Sequence, residues 1–368
     1  MTESSSLVEK HLQEWMEAKE EPSPPIDEGY RRYVARKWIF MGICVAAAII
    51  VIGLSLTIGT YKISFIETYE IIWNHLIGNI TDVTADEVIF DLRMPRILAG
   101  IFAGAGLAVA GACMQSTLKN PLADPFTTGV SAGASLGATL AIVAGISIGG
   151  MGIVSNAFIF ALIPTAIMVA ISRMKAASPT MMIMAGIAIM YLFSAVTTLF
   201  KLWSDPDDLK SLYMWEVGSL GIADWNGVMV MIPVVIAGVV IIQMLSRQLN
   251  VMATGDENAK ALGVNASQLR TLCLVLVALV AATIVSFTGM IGFVGLVCPH
   301  VVRIVIGADN RYLIPASAVF GVALLLTADL IGRTILAPTI IQVGVITSFL
   351  GGPMFLWLLL RKKSKIWG

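Results

Sequence analysis

Few residues of this chain have types and spacing suited to chemistry. Asp329 lies in an apolar stretch with Arg333 four residues on, so the two project from one face of a helix. An acid at membrane depth commonly marks an ion or proton path, whereas an acid with its own cation also fits a hydrogen-bonded structural role. His11, His75 and His300 are too scattered for H-E-x-x-H. Cys44, Cys113, Cys273 and Cys298 form no C-x-x-C and read as small core residues. No G-x-x-x-x-G-K-[ST] is present, so the chain has no phosphate-cradling loop. Gly104-Ala105-Gly106 sits inside an apolar run with no strand before it and is no dinucleotide loop. Neither a metal-ligand set nor a nucleophile with its base is written here, and the chain reads as a protein that is not an enzyme.

The elements that must position these residues follow from composition. Of 368 residues, 57% are hydrophobic and 13% charged, against about 25% charged in soluble domains. Lys plus Arg and Asp plus Glu both number 24, so no global excess points to nucleic acid. With roughly 20 apolar residues per membrane helix, apolar segments fall near 38–60, 96–114, 126–148, 152–171, 180–200, 226–246, 271–288, 290–306, 312–332 and 341–360. The expected fold is an all-α polytopic membrane protein of about ten transmembrane helices. If residue 1 lies inside, only Lys62, Arg93, Arg96, Lys201, Lys210 and Arg333 of the 24 basic residues fall outside. That asymmetry places both termini in the cytoplasm.

Residues 1–37 read as an acidic, proline-containing cytosolic tail with Val8, Leu12, Trp15 and Met16 at helical spacing and no secretory signal. Residues 38–362 form the membrane domain and 363–368 a second cytosolic tail. An interfacial helix is expected near Ile63–Leu76, and Trp203, Trp215 and Trp225 suit the outer membrane interface. Stripes of small residues, Gly100, Gly104, Ala108 and Ala112, then Gly129, Gly133, Gly137, Ala141 and Gly145, predict close helix packing. The cytosolic loop 247–270 carries a short helix from Gly255 to Leu262, with Asp256 and Glu257 in its first turn and Gly263 as its stop. Exposing Ala259, Leu262 and Val264, such a helix needs an apolar groove on a partner.

Several ordered pieces resemble the FecCD family of permeases, membrane subunits of ATP-binding-cassette importers for ferric siderophores, haem and cobalamin. They are Leu92-Arg93-Met94-Pro95-Arg96, Gln115 with Lys119-Asn120-Pro121-Leu122-Ala123-Asp124-Pro125, Gly129-Val130-Ser131-Ala132-Gly133-Ala134, and Trp215 with Gly218-Ser219-Leu220. Further on come Ala261-Leu262-Gly263-Val264, Gly292 through Arg303, Gly307-Ala308-Asp309-Asn310-Arg311, Ala328-Asp329 and Gly344 to Leu358. Together they cover roughly residues 38 to 362.

The resemblance implies a type II ABC importer permease fold. It implies a homodimer in the membrane lipid, with the pathway between its copies, and alternating access driven by two partner ATPase subunits that hold the ATP and Mg; no cofactor is bound by this chain. It also implies an extracytoplasmic binding protein whose acidic residues meet Arg93, Arg96 and Arg333, as in the family's vitamin B12 permease. Gly255, Ala259, Leu262, Gly263 and Val264 take the place of the helix that docks into the ATPase. Ser131 and Ser135 are candidates for the pathway lining. A ferric siderophore is the expected cargo, with cobalamin or haem as the alternative, in the cytoplasmic membrane of a prokaryote. A secondary transporter coupled to an ion through Asp329 is the rival from another class. After Pro338 the family usually has a glutamate and a second proline before Val-Gly, where this chain has Ile340 and Gln342.

Overall fold

The computed structural model describes residues 26–59, 61–150, 152–172 and 179–360. The expected helix near Val8–Met16, the basic residues Arg173 and Lys175, and the tail 363–368 lie outside the described residues.

The first helix, α1, spans Ile26–Thr57 and begins well before the apolar run at 38, so the expected tail boundary falls inside a helix. Lys37 explains this extension: it is buried, with Nζ 4.1 Å from the ring centroids of both Tyr33 and Tyr312. Next come α2 (Phe65–Leu76), closed by a Ser64–Glu67 capping box, and α3 (Val83–Glu87), capped by Asp82. A π-helical segment, Val88–Arg93, leads into α4 (Met94–Leu118). Pro95 has no N–H to give the preceding turn, and the ladder widens just before it.

A 3-10 turn (Pro125–Thr128) precedes α5 (Val130–Ile142), followed by α6 (Ile153–Ser172), α7 (Pro179–Leu202) and α8 (Pro206–Glu216). The chain continues through a 3-10 turn (Leu220–Ile222) into α9 (Trp225–Met244), α10 (Ser246–Ala253) and α11 (Asp256–Ala261). It ends with α12 (Ala266–Thr288), α13 (Val294–Ile306), α14 (Asn310–Thr334) and α15 (Val343–Leu360).

Seven of these segments are long and apolar enough to cross a membrane, and α5, α13 and α15 are shorter apolar helices. Ten apolar passes result among the described residues, as expected, but two differ in shape. Where one helix is expected over 126–148, the left-handed Gly129 (φ 91°) breaks the turn and α5 has only 13 residues, about 20 Å of rise. Where one is expected over 290–306, left-handed Phe293 (φ 68°) delays α13 to Val294. Irregular backbone at this depth is tolerated because protein, not lipid, surrounds it.

Helix α4 is the hub of the bundle, buried along most of its length. A Cβ on Gly104 would come within 2.6 Å of Gly321 O on α14, and Cβ atoms on Gly133 and Gly137 would come within 2.3 Å of backbone oxygens on α6. The tightest approach of α4 lies off the expected stripe. A Cβ at Gly111 would fall 1.8 Å from Gly295 O on α13. Gly111→Ala must therefore push two backbones apart, and is expected to cost about 3 kcal/mol, measured as a lower thermal unfolding midpoint in detergent.

Candidate functional site

Polar side chains gather at the two ends of the bundle. One end holds residues 58–59, 61–82, 203–224 and 335–342. Here Arg96 forks onto Asp329, with Nε to Oδ1 and Oδ2 at 3.0 and 3.1 Å and Nη2 to Oδ1 at 2.8 Å. Arg333 donates from Nε to Asp329 Oδ2 at 3.0 Å, the contact its i, i+4 spacing predicted, and from Nη1 to Ile58 O at 3.0 Å. Arg93, carried by the π segment, caps the end of α1 by donating to the carbonyls of Leu56, Thr57 and Tyr61.

Sequence spacing could join only Asp329 and Arg333; the fold adds Arg96 to the same acid, while Arg93 stays on backbone carbonyls and faces the same cavity. Arg93 and Arg333 are buried rather than splayed outward, and the Arg96 side chain is 13% exposed. With both Asp329 oxygens taken by guanidinium groups, Asp329 acts as their counter-ion. A cavity of about 230 Å³ lies against Arg93, Arg96, Arg333 and Ile340. It adjoins a cleft of about 710 Å³ that shares Arg96 and Ile340 and is walled by Lys210, Trp215 and Gln342. Trp215 is buried beneath the cleft, while Trp203 is exposed. The two departures from the family pattern, Ile340 and Gln342, both fall on this cleft.

The opposite end holds residues 119–124, 245–265 and 307–309. Helix α11 runs from Asp256 to Ala261, as its acidic first turn and Gly263 stop predict. Gly255 (φ 118°) and Gly263 (φ 82°) take backbone angles that side chains disfavour, so glycine sets both ends. Asp256 accepts from Lys119 Nζ, at the end of α4, and from Arg270 Nη2, on α12, each at 2.9 Å. Asn250 accepts from Asn310 N at 2.8 Å and donates to Asp309 at 2.7 Å, which ties α10 to the start of α14. The loop is thereby clasped to three membrane helices.

One expectation is corrected here. Ala259 is fully buried and anchors α11, and Val264 packs half-buried against the core; Leu262, 66% exposed, is the side chain presented. The Cβ of Ala259 points back toward the bundle, and a six-residue helix has room for only one free face.

Burial pulls the Asp256 carboxyl up, but hydrogen bonds from Lys119 and Arg270 outweigh it and hold it below the usual carboxylate range. Asp309 behaves alike, its burial outweighed by Arg311 and Asn250, which bring it to about 2. Because both values lie below those of unfolded chain, the clasp's contribution is complete above roughly pH 4 and is lost as acid protonates them. Asp256→Asn at neutral pH is expected to mimic that loss, seen as faster amide hydrogen exchange over residues 254–264 with the membrane helices unchanged.

Within the bundle, Ser135 is buried and donates to Glu216 at the end of α8, and Lys201 Nζ lies 2.7 and 2.9 Å from the two Glu216 oxygens. Glu216 lines a mainly apolar cavity of about 490 Å³ with Met290, Gly344, Ser348 and Phe349. Ser131 sits one turn earlier, half-buried, and is not among the residues lining this cavity. Sequence reasoning missed Glu216, whose only signal was an acid directly after Trp215.

The FecCD transport family model matches residues 47–361. The hemin transport system permease protein of Yersinia pestis is 36% identical over 75% of this chain and 84% of its own. The cobalamin import system permease protein of Halobacterium salinarum is 39% identical over 75% and 74%. A solved structure described as an inward-facing conformation of a metal-chelate type ABC transporter superposes with a TM-score of 0.76 at 30% identity, covering 87% of this chain and 98% of that one.

Proposed function

The chain belongs to the FecCD transport family, with the type II ABC importer permease fold and the role of a permease subunit for metal chelates, and on that premise we propose that it carries a ferric siderophore. It would do so as a homodimer in the cytoplasmic membrane of a prokaryote, both termini inside, by alternating access between the two copies. Two ATP-binding-cassette subunits, holding ATP and Mg, dock at the clasped end; an extracytoplasmic binding protein docks at the arginine end.

The observation that carries this reading is α11: a short helix, fixed by Asp256 to α4 and α12, that presents Leu262 to a partner. Gly255 and Gly263 set its ends, and Ala259 and Val264 anchor it. Such a lever passes rigid-body motion into the membrane helices it is clasped to. The apolar wall beside Glu216 suits a chelate with an apolar rim better than a bare ion, which keeps its hydration. Ser135 enters the pathway through Glu216, and Ser131 flanks it. Haem and cobalamin, named for two relatives, are the alternative cargoes.

Membrane vesicles containing the chain, its ATPase and its binding protein are expected to accumulate ferric siderophore only with ATP. Uptake driven by an ion gradient without the ATPase would overturn the reading, and retention of haem or cobalamin by the binding protein would replace the cargo. Docking is tested at Arg96, the most accessible of Arg93, Arg96 and Arg333. Arg96→Gln, which leaves Asp329 paired with Arg333, is expected to weaken binding-protein affinity about tenfold at low salt and less at high salt. Equal affinities at low salt would remove Arg96 from that contact.

A further inference from the structure

The geometry points to a phosphate-binding site in the arginine cavity, filled by a free phosphate or by a lipid phosphate headgroup. Three guanidinium groups line about 230 Å³ of space, and the carboxylate bonded among them is Asp329, so the cluster carries two uncompensated positive charges. Arg333 is the telling member. Its side chain is 92% buried by exposure of 8%, its Nε and Nη1 are used, and its Nη2 is buried without a hydrogen-bond partner. A buried donor on a charged group costs more to leave bare than almost any other polar atom. Arg96 spends Nε and Nη2 on Asp329, and its Nη1 lies beside Gly221, another wall residue.

Guanidinium groups lining one small space match the several acceptor oxygens of a phosphate; two net charges balance the dianion of free phosphate, and a phosphodiester headgroup, a monoanion, offsets one of them. On the adjoining cleft Asp207 and Lys210 offset each other. Exposed Leu92 and Ile340 at the cavity wall leave room for a lipid tail beside it. The site stands on this geometry and does not depend on what docks above it.

The test uses the purified full-length chain without partners. Melting in detergent is followed while sodium phosphate is titrated against sodium chloride at equal ionic strength. In parallel, nanodiscs of phosphatidylglycerol are compared with phosphatidylcholine, with native mass spectrometry of the retained lipid. Saturable stabilisation by phosphate identifies the free ion; stabilisation and retention specific to phosphatidylglycerol identify the headgroup. Either is expected to weaken at least tenfold in Arg333→Gln. Ile340→Glu, which places a carboxylate on the cavity wall, is expected to abolish binding while raising the phosphate-free melting point, and it decides the matter if Arg333→Gln fails to fold. No response beyond the chloride and phosphatidylcholine controls, or binding unchanged in Ile340→Glu, would overturn the site.

Discussion

Leu262→Asp is expected to leave the chain folded and inserted while lowering ATP-driven uptake at least tenfold. The side chain is 66% exposed at the C-terminal end of α11, so replacing it removes little packing within the chain. What changes is the contact it offers. A carboxylate forced into an apolar groove must shed water without a partner, a cost of about 1–3 kcal/mol or more, and 1.4 kcal/mol already means about tenfold in affinity. If α11 is the lever, ATP hydrolysis continues or weakens while transport falls, because force no longer reaches α4 and α12. Uptake and hydrolysis measured together in proteoliposomes check this, and normal uptake would remove Leu262 from the coupling contact. Ala259→Asp is a useful contrast: its site is fully buried, so it should release α11 from the bundle and raise amide exchange there.

How much of this was legible beforehand depends on range. The ends of α11 were readable because helix starts and stops are set by local chemistry: two acids in the first turn and a glycine after the last. Asp329 and Arg333 were readable because i, i+4 neighbours must meet on a helix. The number of apolar passes followed from hydropathy alone. Arg96 meets Asp329 across 233 positions of sequence, and Lys119 meets Asp256 across 137; no periodicity reports such contacts. The breaks at Gly129 and Phe293 were equally hidden, since hydropathy does not distinguish helix from irregular backbone that protein surrounds. The composition around Trp215 suits an interface, and only packing shows that its side chain is buried. Ser135 stands out in sequence only as a small polar residue, and the charge it serves, Glu216, lies on another helix.

Asp329→Asn is expected to produce the largest loss of stability of any single change at the arginine end. The carboxylate accepts from Arg96 and Arg333 at once, with its own side chain 2% exposed and theirs 13% and 8%. Asparagine keeps the shape but offers one acceptor oxygen in place of two and no charge. Three cations would then share the cavity with no counter-ion, and removing one partner of a buried ion pair costs about 3–5 kcal/mol. The unfolding midpoint in detergent should fall by on the order of 10 °C, and added phosphate should restore part of it if the cavity takes an oxyanion. The same variant separates this family's mechanism from ion-coupled transport. A coupling acid can be neutralised with uptake abolished and melting unchanged, whereas a counter-ion cannot be neutralised without destabilising the helices it joins. Unchanged melting with lost uptake in Asp329→Asn would therefore return Asp329 to the transport path itself.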